Sequence, residues 1–421
     1  MSHRVYYGWV VTAATFATLV CAAGLISAPT MFIRPMEAGF GWSEAMISSA
    51  IGVQIALFGL TGPFAAAAME RFGVRRTVAS ALCLLVAAEI GVTFVNAGWE
   101  LLIWGALVGI GAGSIALTFG ATIANRWFDN RRGVVMGLFS AGNATGQLVF
   151  MPLFAQIITH EGWRPCAYVL AAVAASMIVV VLTFVRERPA DLGLPRYGAT
   201  EVDTTPLMRT NPLRRAFTTL RDASREKTFW ILAGSFFICG ASTNGLIGAH
   251  LVPACGDHGI PETRAAGLLA AMGAFDLIGT TASGWLSDRY SSRWLLFWYY
   301  GLRGLALLFL PIAFGAGIFG LPVFAVFYGL DWIATVPPTV KIATAAFGRE
   351  RGPVVFGWVA AAHQLGAGMT AFAAGAIRTA VGSYDDAFVT SGLLCLVGSV
   401  LVLTIASSVA KPAPVPAPSS P

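Results

Sequence analysis

Charged residues are scarce in this sequence. They make up 11% of its 421 residues, whereas an ordinary soluble domain carries about 25%. Hydrophobic residues make up 56% of the chain, and its mean hydropathy is +0.71. A water-soluble globular protein is therefore close to excluded, and a protein embedded in a lipid bilayer is indicated.

The motifs of common enzyme and metal sites are also missing. The six cysteines are scattered through apolar stretches without pairs at metal-ligand spacing, which is typical of small apolar residues. There is no phosphate-binding lysine loop, no His-Glu-x-x-His zinc motif and no Gly-x-Ser-x-Gly elbow. Gly105, Gly109 and Gly113 stand four residues apart inside one apolar stretch, which indicates close helix packing and not a dinucleotide loop. The sequence thus predicts no enzyme, no cofactor and no metal site.

Long apolar runs are what the sequence does contain. Each is about 20 residues long, the length that a helix needs to cross about 30 Å of hydrocarbon. Membrane barrels need short alternating strands instead, so we predict an all-α polytopic membrane protein with twelve transmembrane helices. The first is expected to be a membrane helix and not a cleaved signal peptide. The predicted spans are 6–32, 45–68, 77–97, 99–124, 133–157, 163–185, 229–253, 264–286, 294–315, 321–345, 353–377 and 386–409.

Basic residues are unevenly distributed over the loops between these spans. If the N-terminus is cytoplasmic, the inside segments hold 21 of the 27 lysines and arginines, and the outside loops hold 4. The positive-inside rule therefore predicts a multi-pass protein of the cytoplasmic (inner) membrane with both termini cytoplasmic. The net charge of +6 does not indicate a nucleic-acid partner, because the basic residues are spread over every cytoplasmic loop.

The two halves of the chain resemble each other at a shift of 220 residues. RRGVVMGLFSAGNATG, residues 131–146, aligns with RGPVVFGWVAAAHQLG, residues 351–366, and places Asn143 on His363. A repeat of six helices joined by a polar stretch is typical of a two-bundle transporter. The predicted divisions are an N-terminal six-helix bundle (1–185), a cytoplasmic linker (186–227), a C-terminal six-helix bundle (228–410) and a disordered proline-rich tail (411–421).

Two charged loops carry a recognisable pattern. GWLSDRYSSR, residues 284–293, ends the eighth span, and AAAMERFGVRR, residues 66–76, ends the second. Both resemble the loop signature of the major facilitator superfamily, Gly-x3-Asp-Arg followed by basic residues, although the first half has Ala66 for the glycine and Glu70 for the aspartate. The resemblance implies the major facilitator fold, in which two pseudo-symmetric six-helix bundles carry out secondary active transport by alternating access.

Three further segments resemble one branch of that superfamily, the oxalate:formate antiporters and monocarboxylate porters. They are YYGWVV near the start, RWFDNRRGVVMG before the fifth span and RPADLGLPRYG after the sixth. The resemblance covers essentially the whole chain and implies a small-molecule substrate. We expect a small organic anion, a mono- or dicarboxylate, moved by proton coupling or by anion exchange through a protein that functions as a monomer.

The charged loops contain candidate residues of a cytoplasmic gate. An acid at a helix end can pair with neighbouring arginines or with the positive start of another helix, in contacts that form in only one orientation of the bundles. The resemblance implies such a gate, and the alternative is that these charges only set the topology. The candidates are Glu70, Arg71, Arg75, Arg76, Arg131, Arg132, Asp288, Arg289 and Arg293.

Four ionisable residues, Asp276, Arg303, Asp331 and Lys341, lie inside predicted spans of the second half. Each costs about 2.5 to 3.5 kcal/mol at the centre of a membrane helix and therefore requires a partner or a task. Asp276 and Arg303 lie about 15 to 18 Å deep on consecutive helices, so we expect that they can pair, either permanently or until transport breaks the pair. Asp276 fits the aspartate that the monocarboxylate family carries in this helix, but Thr280 stands where the family has arginine four positions later.

Two consecutive prolines, Pro337 and Pro338, interrupt the tenth span. They remove two amide donors and would free the carbonyls of Ile333 and Ala334, which is tolerable only where the break faces protein or a cavity. The tenth helix lines the central cavity in the superfamily, so the residues around the break are substrate or proton candidates, the alternative being a kink for packing. Amide and imidazole groups of the fifth and eleventh spans can also hydrogen-bond a carboxylate. The candidate set is Asn143, Gln147, Asp276, Arg303, Asp331, Trp332, Lys341, His363 and Gln364.

Two other functions fit parts of the sequence. An efflux transporter for amphipathic compounds is compatible with the balance of two acids and two bases in the second half. A non-transporting membrane sensor would need an output domain, and neither end of the sequence supplies one. An intramembrane enzyme has the least support, because no catalytic constellation is present.

Overall fold

The computed structural model describes residues 6–203, 212–316 and 319–406. Within these ranges the chain is helical apart from turns, short connections and one isolated bridge between Phe128 and Tyr197. The expected all-α fold is confirmed. The α-helices are α1 (Tyr7–Ser27), α2 (Ile33–Phe40), α3 (Glu44–Phe72), α4 (Val74–Val92), α5 (Glu100–Ile115), α6 (Leu117–Trp127), α7 (Arg132–Glu161), α8 (Trp163–Phe184), α9 (Pro212–Ala223), α10 (Lys227–Gly240), α11 (Ala249–Asp257), α12 (Glu262–Arg289), α13 (Ser292–Ala313), α14 (Leu321–Asp331), α15 (Val336–Val381) and α16 (Asp385–Val402).

Most of these helices are long and apolar enough to cross a bilayer. Among the described residues, nine helices or joined helical segments meet that condition by length and composition. The helices α4, α7 and the part of α15 after Gly348 lie where the third, fifth and eleventh spans are predicted. Gly348 divides α15 at a sharp kink with φ of 83°, a backbone conformation that favours glycine. Together these helices give the twelve-helix arrangement expected from the sequence.

The membrane helices form two bundles, α1–α8 and α10–α16. Inside the first bundle α3 packs against α5, α1 against α7 and α4 against α8; inside the second, α13 packs against α16, α10 against α15 and α12 against α14. The bundles meet along two seams, α3 with α15 and α7 with α12. We call the end where Gly73 joins α3 to α4 the linker end, and the end where residues 41–43 join α2 to α3 the far end.

Four membrane segments are interrupted helices. A 3₁₀ turn, Ala28–Phe32, separates α1 from α2, and Ala116 alone separates α5 from α6. A π-helical stretch, Ala241–Gly248, separates α10 from α11, and a turn over 332–335 separates α14 from α15. These are the first, fourth, seventh and tenth predicted spans, so these four interruptions lie in matching helices of the two halves. Such backbone is tolerated at membrane depth only where it faces protein or a cavity.

The linker touches both bundles. On the first bundle, the backbone amides of Asp129 and Asn130 donate to the carbonyl of Tyr197 at 3.1 and 3.0 Å. On the second, the indole of Trp358 in α15 donates to the carbonyl of Ala216 in α9 at 3.0 Å. Residues 204–211 of the predicted linker and the predicted tail 411–421 lie outside the described residues.

Glycines bring α5 against α3. Any side chain at Gly105, Gly109 or Gly113 would collide with a backbone carbonyl of α3. Because glycine lets backbones approach closely, these positions have a packing role that larger residues cannot take.

This contact generates a stability prediction. Gly109→Ala should lower the free energy of unfolding by about 1 to 3 kcal/mol, because the added methyl group meets the carbonyl of Gln54. The matched control is Gly267→Ala in α12, where no atom lies within 4 Å of the new methyl group and better helix propensity should keep or raise stability. Thermal unfolding of both variants in detergent measures the difference. Equal unfolding midpoints would contradict the packing role.

Candidate functional site

The centre of the second bundle holds a buried ion pair. Arg303 of α13, 1% exposed, donates from Nε to Oδ2 of Asp331 at 2.7 Å. Its Nη2 donates to the backbone carbonyls of Asp331 at 2.6 Å and Trp332 at 3.2 Å, which close the last turn of α14. The guanidinium therefore neutralises one acid and also caps a helix end whose carbonyls have no helical partners.

The third nitrogen of Arg303 faces a thiol. Its Nη1 lies 2.8 Å from Sγ of Cys239 in α10, and the same sulfur lies 3.4 Å from Oγ1 of Thr335. The ring of Tyr300 lies 5.8 Å from the guanidinium carbon. Since sulfur is a weak acceptor compared with a carboxylate, this side of the guanidinium is its least strongly bound side.

Asp276 holds the break between α14 and α15. Its Oδ1 accepts a hydrogen bond from the amide of Ile333 at 2.9 Å and another from the hydroxyl of Thr280 at 2.9 Å. Ser283, two turns along the same helix, donates to the carbonyl of Ala334 at 2.5 Å. The carbonyl of Ile333 accepts from Val336 at 2.9 Å, so both carbonyls that the prolines were expected to free have partners. Helix α12 thus supplies the hydrogen bonds that the interrupted helix lacks.

The expected pair of Asp276 with Arg303 is wrong. Arg303 pairs with Asp331, and Asp276 is bonded to the backbone of the broken segment. The depth estimate placed Asp276 and Arg303 at a similar level, but the rotation of each helix directs the guanidinium to α14. Among these described groups, two acids and one arginine therefore share the centre of the bundle.

Lys341 lies away from this centre. Its Nζ donates to the carbonyl of Ser287 and lies 3.6 Å from Oδ1 of Asp288, at the linker end of α12. The long side chain carries its charge towards the loop signature, as expected for a lysine near a membrane boundary. Lys341 thus lies with the charged loop of α12 and not in the central cluster, and its role in binding substrate or a proton stays a prediction.

Three other candidates lie around the broken segment. Trp332 is half-buried and packs edge-on against Tyr328 at 5.8 Å between ring centroids. His363 packs against Phe236 at 5.3 Å and faces the thiol of Cys239. Gln364 packs on Gly59 of α3, at the seam between the bundles. His363 thus joins the Arg303 cluster, whereas Gln364 belongs to the interface.

The side chains of four predicted site residues are not described by the structure. Asn143 and Gln147 lie on α7, Glu70 on α3 and Arg132 on α7, but their side chains are outside the part of the chain that the structure describes. The predicted contact of Glu70 with Arg131 or Arg132 therefore stays a prediction.

One gate candidate of the first half, Arg75, contacts Glu187 of the linker through its backbone amide. This carboxylate accepts from the amides of Val74 at 2.7 Å and Arg75 at 3.0 Å, and it pairs with Arg126 at 3.1 Å. It therefore occupies the positive start of α4, a position that favours an anion. The Arg75 side chain donates to the carbonyl of Leu182.

The remaining described gate candidates make contacts within their own bundle or with the linker. Arg131, in the left-handed conformation at φ of 62°, lies 5.8 Å from the ring of Tyr197, and Arg71 lies 5.2 Å from the ring of Phe72. Arg289 lies 4.0 Å from the ring of Trp285, and Arg293 donates to the carbonyl of Ile405 at 3.4 Å. Arg76 and Asp288 are exposed.

Sequence reasoning missed three members of these clusters. Cys239 was grouped with the other cysteines as a small apolar residue, although it contacts Arg303. Glu187 was hidden in the polar linker, and only its position directly after the sixth span could have indicated it. Tyr328, whose hydroxyl donates to the carbonyl of Ser242 at 2.7 Å, carries no sequence signal beyond being polar in an apolar span.

Comparisons with known proteins agree on the family. A model described as "Major Facilitator Superfamily" matches residues 13–275 and 238–421. The chain is 27% identical over 408 residues to monocarboxylate transporter 13 from Bos taurus, covering 95% of this chain and 89% of that protein. It is 26% identical over 378 residues to the uncharacterized MFS-type transporter YcxA from Bacillus subtilis (strain 168), covering 87% of each. The fold is similar to the xylose transporter XylE from E. coli in an inward open conformation, with a TM-score of 0.71 at 14% identity over 95% of this chain and 96% of that one.

The ion pair generates a prediction about stability. Arg303→Gln should destabilise the protein by about 3 to 5 kcal/mol, because it leaves the buried charge of Asp331 without its partner. The double variant Arg303→Gln/Asp331→Asn should recover much of that loss, since neither charge is then buried alone. Thermal unfolding in detergent measures both, with the exposed Arg289→Gln as the matched control. A double variant no more stable than Arg303→Gln alone would contradict the coupling.

Proposed function

The chain belongs to the Major Facilitator Superfamily, and we propose that it moves a small organic anion, a mono- or dicarboxylate, across the cytoplasmic membrane. The class of protein, a membrane transporter and not an enzyme, follows from the family and from relatives such as monocarboxylate transporter 13. The substrate class and the mode of coupling are our proposal. The observation that carries it is the guanidinium of Arg303, the one arginine side chain that is buried among the described residues, beside the break between α14 and α15.

Arg303 is suited to recognise one carboxylate. A guanidinium presents a planar set of donors that matches a carboxylate with two parallel hydrogen bonds. In the resting arrangement Nε and Nη2 are engaged with Asp331 and the end of α14, and Nη1 faces the weakly accepting Cys239. A substrate carboxylate that approaches Nη1 replaces this weak contact with a charge-assisted one. Trp332 and His363, next to the same cluster, would contact the rest of a small substrate.

The charges of the cluster support coupling to a proton or to a second anion. Asp276 and Asp331 lie near enough to interact electrostatically, and Arg303 is the described cation between α10 and α14 that compensates them. A substrate carboxylate would bring a third negative charge to one positive charge in a medium of low dielectric constant. A proton on Asp276 or Asp331 removes this imbalance, and so does the departure of another anion before the substrate binds.

We propose that the two bundles, residues 1–185 and 228–410, rock about the cluster to expose it on one side and then on the other. In the orientation favoured by the basic loops, the linker end is cytoplasmic and the far end is outside. Lys341, Asp288 and Glu187 then lie at the cytoplasmic end, where the loop signatures of the two bundles meet the solvent. The working unit in this proposal is one chain.

A transport assay tests the proposal directly. Purified protein is placed in liposomes that contain a pH indicator, and mono- and dicarboxylates are added outside one at a time. Acidification beyond that of protein-free liposomes is expected for a proton-coupled substrate. Counterflow with preloaded carboxylates detects electroneutral exchange that changes no pH. Failure of every carboxylate in both assays would overturn the proposed substrate class.

A single variant tests the role of Asp276. Asp276→Asn should abolish proton-coupled transport while the protein still inserts and folds, because the amide oxygen can accept the same two hydrogen bonds but cannot carry the proton. Transport-driven acidification and the amount of folded protein are measured together. The matched control is Glu201→Gln, an acid exposed in the linker. Full coupled activity of Asp276→Asn would remove Asp276 from the mechanism.

A further inference from the structure

The far ends of the two bundles are joined by a cluster of charged residues. Arg34 of α2 pairs with Asp257 of α11, so a cation of the first bundle meets an acid of the second. Arg378 of α15 binds both oxygens of the same Asp257, at 2.8 and 2.9 Å. Ala45 also donates its amide to the hydroxyl of Thr379 at 3.1 Å. The far end is therefore closed by contacts that have to break before the bundles can separate there.

Beneath these contacts lies a buried acid against a buried imidazole. Glu44, the first residue of α3, is 2% exposed, and His250 of α11 is 0% exposed. Oε1 of Glu44 lies 3.4 Å from Nδ1 of His250, across the boundary between the bundles. Neither carboxylate oxygen of Glu44 has a hydrogen-bond partner among the described residues. A buried, unpartnered carboxylate facing an imidazole is an arrangement that requires a physical account.

The hydrogen bonds of His250 decide where its proton lies. Nε2 is 2.8 Å from the carbonyl oxygen of Ala371, which can only accept a hydrogen bond. Nε2 therefore carries a proton and donates it. In the neutral ring Nδ1 then presents a lone pair, and this lone pair faces both the carboxylate of Glu44 and the hydroxyl of Tyr384, 3.1 Å away.

This geometry is incomplete without one more proton. A neutral imidazole and an ionised Glu44 would direct two electron-rich atoms at each other in a site closed to water, which is unfavourable. A proton between Nδ1 and Oε1 turns the contact into a hydrogen bond, whether it resides formally on the ring or on the acid. The hydroxyl of Tyr384 reaches Nδ1 but is not a hydrogen-bond partner of Glu44, so it does not replace this proton.

The surrounding charges do not neutralise Glu44. Arg378 is the nearest cation, with Nε 4.0 Å from Oε2, but its short contacts go to Asp257. Glu37 of α2 also acts on Arg378, and Glu262 of α12 acts on Arg34. Arg264 of α12 acts on Cys255 of α11. Because the short contacts of Arg378 go to Asp257, Glu44 is left without a close cationic partner among the described residues, which favours binding of a proton at the Glu44–His250 contact.

We propose that Glu44 and His250 form a proton-binding site, distinct from the Arg303 cluster, whose occupation holds the far ends of the two bundles together. The bound proton bridges α3 of one bundle to α11 of the other. Loss of the proton leaves two opposed acceptors and favours separation of the far ends. A proton that binds from the far side thus brings the far ends of the two bundles together after the substrate has entered. The link to transport rests on the proposed function, but the site itself is argued without any substrate.

The test measures the separation of the far ends against pH, without substrate. Spin labels are attached at Ala38→Cys and Val381→Cys, both exposed, with the exposed Cys83 replaced by serine and the buried thiols left in place. In wild type the distance between labels should increase as the pH is raised, because loss of the bridging proton leaves two opposed acceptors between the bundles. A distance that does not change with pH would overturn the proposal.

Two variants assign any pH response to this site. Glu44→Gln places an amide donor opposite Nδ1, so its far ends should stay together at every pH. His250→Gln removes the ring that shares the proton with Glu44, so its distance should lose the dependence on pH. Asp386→Asn, an exposed acid at the same end, is the matched control and should respond as wild type. A folded Glu44→Gln or His250→Gln protein with an unchanged pH response would overturn the proposal, and one folded variant is enough to decide.

The outcome is independent of the carboxylate assays. If no carboxylate is transported but the distance responds to pH as expected, the proposed substrate class fails and the proton site stands. If carboxylates are transported but the distance does not respond to pH, the proposed substrate class stands and the proton site fails.

Discussion

A single constraint governs this structure: in hydrocarbon, each backbone donor and acceptor must find its partner inside the protein. The interrupted helices satisfy it with side chains from neighbouring helices. Gln54 of α3 donates to the carbonyl of Ile26 at 3.0 Å, near the end of α1. Tyr328 does the same for the π-helical stretch after α10. At the break between α14 and α15, Asp276 accepts from a free amide and Arg303 donates to free carbonyls. The charged residues at the centre therefore support the fold in the same contacts that we assign to the substrate site.

This double use links transport to conformation. A substrate carboxylate that draws Arg303 away from the end of α14 leaves carbonyls without partners, and α14 can then shift relative to α15. The second proposed proton site lies at another level of the molecule, between Glu44 and His250. In these two proposals, one site lies inside a single bundle and would respond to the substrate, whereas the other lies between the bundles and would respond to the pH at the far end. A transporter with both sites can require that each site is occupied before the bundles reorient.

Much of the fold follows from the sequence, because hydrophobic length, the prolines at 337 and 338 and the glycines at 105, 109 and 113 act locally or along one helix. The pairing of side chains does not follow as readily. Depth along a helix can be counted, but the rotation that directs Arg303 to Asp331 instead of Asp276 depends on the packing of three helices. His250 was within reach of sequence reasoning, since a histidine in an apolar span meets the same cost as Asp276. Its partner Glu44 lies at a helix start, where acids are common, and gave no such signal.

The seam between α3 and α15 is smooth where the bundles touch most closely. Gly52 and Gly368 face each other so nearly that any side chain on one would collide with the carbonyl of the other, and Gly375 leaves room for the small side chain of Ser48. Where bare backbone faces bare backbone, as at Gly52 and Gly368, no interlocking side chain has to change rotamer before the helices slide. The activation barrier to reorientation should therefore have a small steric part along this seam, and polar contacts such as Arg34–Asp257 would control the rate of turnover. Substitutions of charged residues at the ends of the bundles could then change the rate of transport during evolution, while the seam between α3 and α15 stays unchanged.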